Sequence, residues 1–285
     1  MKKEILIIGG YGFLGLNIIH HFHNYFELTI AVKKSSIRPE INLPLKYKIV
    51  YTDNDDFFSI FKVKQFDVII NCSVDYGSKS DCNQVFETNV NFPLRIIKCI
   101  EKSKTLFICF DTFYTKSQNY NYLKNYINSK IEFKNRCILI RNTKIINLQV
   151  EHLYGNFDSP LKFISFVIKN LKSNSEINLT QCNQKRDFIH VNDIINLIKV
   201  LVNLEIQKKY FHFEIGTGES ISIKRFINTA KKIFKSSSRL NYGALEMREN
   251  EILDSYASLS QITSFCHWTP RIKYKEGLTI LYNEQ

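Results

Sequence analysis

Glycine is scarce in this chain. There are 10 glycines in 285 residues, and four of them fall between positions 9 and 15. Long apolar runs are missing too. No stretch approaches the roughly 20 residues that a membrane-spanning helix needs. At the N-terminus Lys2, Lys3 and Glu4 precede a short apolar run that the glycines cut, which is unlike a secretory leader. The seven cysteines (72, 82, 99, 109, 137, 182 and 266) include no C-x-x-C pair and no metal-ligand spacing. The odd, scattered set points to reduced thiols in a cytosolic protein. We therefore expect a cytoplasmic chain with no membrane segment and no metal. Acidic residues are outnumbered 27 to 39, for a net charge of +12. The lysines are spread rather than clustered, so a nucleic-acid partner is not expected. The excess suits a site for anionic ligands.

What is present is a repeated strand–helix alternation. A hydrophobic content of 44% over 285 residues supports one large α/β unit, or a nucleotide domain with a smaller lobe. Strands are expected at 4–8, 28–32, 47–51, 67–71, 106–110 and 145–153, with helices at 55–61, 79–102 and 122–134 or beyond. This order predicts a Rossmann-type doubly wound parallel sheet with a smaller C-terminal α/β substrate lobe. The expected division is 1–153 plus roughly 187–216 for the dinucleotide domain, and 154–186 with 217–285 for the substrate lobe. There is no internal repeat and no low-complexity linker.

The glycine cluster sits between the first strand and a helix pattern of Leu14, Ile18, Ile19 and Phe22. In that context G-x-x-G-x-x-G reads as a dinucleotide turn. Gly9 allows a sharp turn off the strand, Gly12 admits a pyrophosphate, and Gly15 lets the helix pack close to the sheet. The helix start at Phe13 and Leu14 offers free N–H groups and the positive end of its dipole. After the second strand the chain reads Lys33-Lys34-Ser35-Ser36, with Arg38 close behind and no carboxylate. An acid in this region reads the ribose 2′-hydroxyl of NAD, whereas ammonium and hydroxyl groups suit a 2′-phosphate. NADP(H) is therefore expected, with NAD(H) not excluded. Asp53 fits an adenine contact or a helix N-cap equally well. Cys72 and Ser73, past the fourth strand, fall where small residues let the nicotinamide half lie against the strand ends.

Tyr126 and Lys130 are one helical turn apart and share a face. An ammonium beside a phenol lowers its pKa from near 10, so the pair can serve as a general acid or base on a carbonyl or alcohol oxygen. Thr112, at the end of the fifth strand, is placed to orient the same oxygen. With 15 tyrosines in the chain, Y-x-x-x-K alone is weak. The order of glycine turn, strand-end Thr112 and then Tyr126/Lys130 is what singles it out.

In that order the chain resembles the extended short-chain dehydrogenases/reductases of nucleotide sugars, the NAD-dependent epimerase/dehydratase family. The likeness runs from the first strand to near the end. It continues through Glu87-Thr88-Asn89-Val90, Tyr154-Gly155, the segment from Lys185 to Asp193, and Trp268-Thr269-Pro270. Within the family it is most similar to 4-keto-reductases of 6-deoxy-sugar nucleotides, of the CDP-abequose synthase type. Asp75-Tyr76-Gly77, Asp111-Thr112-Phe113, Glu151 to Gly155, Lys162-Phe163 and Arg248-Glu249-Asn250-Glu251 carry that closer likeness.

The resemblance implies catalytic roles for Thr112, Tyr126 and Lys130. It places Arg186 and Arg248 on a substrate diphosphate, Tyr76 and His152 near the sugar, and Lys162 either near the nucleotide or at the capping position of its helix. It implies a nucleotide-diphospho-sugar substrate, a homodimer, and NADPH-dependent reduction of a C4 keto group on the way to a surface-polysaccharide sugar. Two segments depart from the family pattern. Cys109-Phe110-Asp111 replaces a serine-rich strand end, and Cys72-Ser73-Val74 replaces a run that more commonly contains alanine.

Two other enzymes use the same fold. A 4-epimerase retains NAD and calls for an acid after the second strand, which is missing. A 4,6-dehydratase calls for carboxylates after Thr112, where Phe113 and Tyr114 stand. A non-catalytic dinucleotide-binding relative remains a further alternative, since fold alone does not establish chemistry.

Overall fold

The computed structural model describes residues 2–37, 46–78, 80–101, 103–117, 120, 122–207 and 209–284. The chain divides into two compact units. The first comprises Met1–Thr115, Leu123–Gln149 and Lys199–Phe213; the second comprises Lys116–Tyr122, Val150–Ile198 and Glu214–Gln285.

The first unit is built on a parallel sheet. Strand β1 (Glu4–Ile8) feeds helix α1 (Phe13–Phe22), followed by β2 (Glu27–Val32) and β3 (Tyr47–Tyr51). After a 3-10 turn come α2 (Ile60–Val63) and β4 (Val68–Asn71). The expected helix at 79–102 resolves into α3 (Cys82–Phe86), a π-helical turn at Glu87–Asn91 and α4 (Phe92–Cys99). Residues 79 and 102 lie outside the described residues. Strand β5 (Leu106–Thr112), helix α5 (Lys124–Ile138) and strand β6 (Lys144–Val150) follow. The sheet runs β3-β2-β1-β4-β5-β6, with Tyr210–Ile215 beyond β6.

Burial explains the sequence pattern. Ile5, Leu6, Ile7 and Ile8 are at most 1% exposed, because a central parallel strand is covered on both faces and reads as a continuous apolar run. At the edge, Lys48, Ile49 and Tyr51 of β3 face solvent. β1 pairs in parallel with both β2 and β4. The order of strands therefore reverses at β1, and the carboxyl ends of β1 and β4 form the crevice where such sheets take ligands. The glycine turn follows β1, and Cys72-Ser73 follows β4.

Helix α5 starts later than expected. Leu123, its N-cap, is left-handed at φ 61°, a conformation that a branched side chain adopts at a cost, and the helix begins only beyond it. The strand expected at 145–153 also ends early. The His152 N–H turns to the Asp187 carbonyl at 2.9 Å, and His152–Tyr154 pairs instead with Phe188–His190.

That pairing belongs to the second unit. Phe188 stacks on Phe226 at 4.0 Å, within a core that includes Tyr154, Leu171, Ile177 and Leu278. Two acids of the Lys185-to-Asp193 segment tie loops to this core. Asp187 accepts the backbone N–H groups of Thr217, Gly218 and Ala257. Asp193 accepts those of Arg271 and Ile272, each at 3.0 Å. These bonds draw residues 187–198 into the second unit, whereas the sequence pattern grouped 187–216 with the dinucleotide domain. Among the described residues, no helix is long and apolar enough to cross a membrane. Among the same residues, no group of three or more His, Cys, Asp or Glu is arranged to hold a metal ion.

Candidate active site

In the first unit the glycine turn is a close fit. Gly9 is at φ +74°, and a Cβ there would sit 2.8 Å from the Ser73 nitrogen, so turn and β4 end touch backbone to backbone. Two expectations change. A Cβ on Gly15 would meet the Gly9 oxygen at 2.6 Å, so Gly15 packs the helix against the turn rather than against the sheet. The approach to the sheet belongs to Gly10, whose Cβ would lie 2.1 Å from Ile30 Cγ2. Gly12 is exposed, and a Cβ there would meet only the Gly9 oxygen, at 3.3 Å. It is the N-cap of α1, with no capping side chain and no acid in the first turn. The positive end of the α1 dipole is thus not offset by a capping side chain or an acid of the first turn. That fits the pyrophosphate of a dinucleotide.

Beyond β2, Lys33, Lys34 and Ser35 are exposed. The Ser36 N–H closes their turn on the Lys33 carbonyl at 2.9 Å. Arg38 lies outside the described residues. Asp53 is not a helix N-cap, because the next helical turn begins at Phe57 behind Asp56. Both of its carboxylate oxygens accept the Lys34 N–H, at 3.0 and 3.2 Å, so it holds the basic turn in place. Cys72 is half-buried, and burial pushes its thiol pKa up. The Ser73 hydroxyl donates to Asn71 Oδ1 at 2.6 Å.

Thr112, Tyr126 and Lys130 come together at the end of β5. Tyr126 is buried at 5% exposure, and its hydroxyl is hydrogen-bonded to the Thr112 side chain. The ring of Tyr76 lies 4.9 Å from that of Tyr126. Lys130 Nζ is 5.7 Å from the Tyr126 ring centre and donates to the Phe110 carbonyl at 2.8 Å. The expected lowering of the phenol pKa is not what this structure has. Burial pushes Tyr126 well above its ordinary value, Tyr76 and Asp111 push the same way, and the Thr112 bond opposes them. The Lys130 ammonium is itself pulled down by burial and pushed back up by Asp111 and Cys109.

Two buried groups brace this arrangement. Ser129 donates to the Tyr126 carbonyl at 2.7 Å and accepts from Asn89 at 2.9 Å. The Asn89 amide also bonds both backbone groups of Asp75, which fixes the loop carrying Tyr76. Sequence reasoning saw Asn89 as part of a family motif and passed over Ser129. The one available sign was a small polar residue on the inward face of α5, between Tyr126 and Lys130.

In the second unit His152, Lys162 and Arg186 are neighbours. Burial and those two cations push the His152 pKa down to about 3, so the ring is neutral at neutral pH. Its ring packs edge-on against Phe188. Lys162 pairs with Asp158 at 2.9 Å. Arg186 is buried, with its guanidinium on Glu251 at 2.6 Å and on the carbonyls of Ile252 and Lys185. Arg248 lies 3.6 Å over the Tyr122 ring and donates to the Tyr120 hydroxyl, which in turn bonds Glu251. Both arginines are therefore joined through Glu251, which the sequence showed only as part of a family motif, and Tyr120, which it did not single out.

The sequence pattern of the family described as NAD dependent epimerase/dehydratase matches residues 5–216. A CDP-abequose synthase from Salmonella muenchen is 30% identical over 286 residues, spanning 98% of this chain and 96% of that protein. Among solved structures, the UDP-glucuronic acid 4-epimerase from Bacillus cereus, in complex with UDP-glucuronic acid and NAD, superposes with a TM-score of 0.83 at 17% identity, covering 98% of each chain. The UDP-glucose 4-epimerase from Thermotoga maritima, with UDP-glucose, gives 0.82 at 17% identity over 99% of this chain and 98% of that one. At such identities these last two are likenesses of fold. The length of the family match and the identity along nearly the whole chain show that this protein belongs to the NAD dependent epimerase/dehydratase family.

Proposed function

We propose that the chain reduces the C4 keto group of a nucleotide-linked deoxysugar, using NADPH, in the biosynthesis of a surface-polysaccharide sugar. The observation that carries this reading is the Tyr126 hydroxyl, buried, bonded to Thr112 and held protonated by its surroundings. A reductase starts from the acid form of its tyrosine, because the new alkoxide must be given a proton. Burial favours that form. The resemblance to a CDP-abequose synthase along the chain points to the same class of substrate.

The glycine turn and α1 hold the dinucleotide phosphates, with Cys72 and Ser73 against its nicotinamide half. Lys33, Lys34 and Ser35 take the 2′-phosphate. The reduced nicotinamide, when bound, supplies the hydride. Tyr126 donates its proton to the substrate oxygen, and Thr112 donates a hydrogen bond that orients it. Lys130 contributes a positive charge that stabilises the tyrosinate left behind. Tyr76 flanks the sugar, and His152, Lys162, Arg186 and Arg248 form the substrate side of the second unit, with the arginines on the diphosphate. The protein works as a homodimer in the cytoplasm.

One observation favours a second reading. Asp53 places a carboxylate against the turn after β2, where an acid suits the 2′-hydroxyl of NAD, and a 4-epimerase retains NAD. Incubation with NADPH and a panel of 4-keto-deoxysugar nucleotides, followed by absorbance loss, separates the two. A reductase oxidises the coenzyme in proportion to product, whereas an epimerase shows no net loss. Replacing Lys33 and Lys34 with Ala is expected to weaken NADPH binding about tenfold more than NADH binding, since the lost groups face only a phosphate. Equal losses in a binding titration would remove the 2′-phosphate assignment.

A further inference from the structure

Next to Thr112 stands a carboxylate that the proposed reaction does not use. Asp111 lies on β5 and is 6% exposed. Its Oδ1 accepts the Thr112 backbone N–H at 2.7 Å, and its Oδ2 is buried without a hydrogen-bond partner. An ionised carboxylate in such a place is costly unless a positive charge faces it. Lys130 is buried too, and its Nζ is anchored at 2.8 Å on the carbonyl of Phe110, the residue before Asp111. An acid and a base, each costly to bury charged alone, thus sit together at the end of one strand.

We propose that Asp111 is a positioning residue for Lys130: its carboxylate keeps the ammonium charged inside the protein and its Nζ beside Tyr126. The inference rests on the reading of Lys130 as the cationic partner of Tyr126. The groups around the pair come from four elements. β5 brings Cys109, α5 brings Tyr126 and Lys134, β6 brings Asn147, and the strand at Tyr210–Ile215 brings Tyr210 and His212. Lys134 also faces Asp111, but its Nζ is 3.3 Å from His212 Nε2, and Lys130 exerts the larger pull on the carboxylate. Among the groups acting on Lys130, Asp111 leads those that restore the charge that burial removes.

The test is an NMR titration of the ligand-free protein labelled with 13C-lysine, with the Lys130 signal assigned through Lys130→Arg. Asp111→Asn keeps the size of the side chain and removes the charge. Its Lys130 midpoint is expected to fall by about one pH unit relative to wild type, and Asp111→Glu is expected to bring it back. Asp111→Ser, neutral and smaller, is read the same way if the Asn variant does not fold. An unmoved midpoint in a folded neutral variant overturns the proposal. The measurement involves no turnover, so its outcome is separate from that of the reductase reading, which fails instead if Lys130→Met still reduces the 4-keto panel at the wild-type rate.

Discussion

Replacing Tyr126 with Phe is expected to lower kcat by about three orders of magnitude and leave the dinucleotide Kd within roughly twofold. The loss corresponds to about 4 kcal/mol of transition-state stabilisation. The ring remains, so the packing 4.9 Å from Tyr76 is kept, and the bond from the Ser129 hydroxyl to the Tyr126 carbonyl is untouched. Only the hydroxyl goes, with the bond it makes to Thr112. Unfolding of the variant should therefore match wild type closely while single-turnover reduction disappears. If reduction of the 4-keto panel persists near the wild-type rate, the proton comes from elsewhere. The pH dependence follows from the direction of the pKa shift. A phenol pushed above its ordinary value stays protonated through neutral pH, so reduction should hold there and decline only on the alkaline side. An enzyme that had to begin with the phenolate would show the reverse limb.

The second large effect is on stability. Arg186→Met is expected to destabilise the protein by about 3–5 kcal/mol, because it leaves the Glu251 carboxylate buried and uncompensated. The two side chains are 3% and 7% exposed and bonded at 2.6 Å. The same substitution frees the carbonyls of Ile252 and Lys185 from their donor. Pairing it with Glu251→Met should restore a good part of the loss, since two apolar groups of similar volume do not leave a charge behind. Urea unfolding of the two single variants and the double variant measures this. A loss below about 1 kcal/mol for Arg186→Met would mean that the pair is solvated in practice and that the guanidinium is free for substrate. The expected stability cost and the proposed diphosphate contact compete for the same group, so binding of substrate has to be read at a temperature where the variant remains folded.

Much of the first unit is legible in the residue pattern because it depends on local rules. Four buried aliphatic residues followed by a glycine cluster can hardly form anything other than a central strand and a tight turn. The spacing of Tyr126 and Lys130 places them on one face of any helix that contains both. The strands β1 to β6 follow from the same alternation of strand and helix patterns, whereas their order in the sheet and the strand at Tyr210–Ile215 came only with the fold. The left-handed Leu123 was not legible, since nothing in a leucine announces φ 61°. Nor was the π-helical turn at Glu87–Asn91, from which Asn89 reaches both Ser129 and Asp75. Pi-type turns arise where tertiary bonds outweigh the regular ladder, and propensity does not register them.

The residue pattern alone is enough to place a glycine turn after the first strand and to nominate Thr112, Tyr126 and Lys130 as candidates for the chemistry, because glycine, tyrosine and lysine at these spacings act over one helical turn or one strand end. The charge state of the site emerges from the fold and not from the residue pattern. Whether burial or a neighbouring ammonium governs Tyr126 depends on groups as distant in sequence as Tyr76 and Asp111, and whether Arg186 has a partner depends on Glu251, 65 residues away. Electrostatic energies inside a protein follow distance and solvent exclusion, and neither quantity exists until the chain has folded.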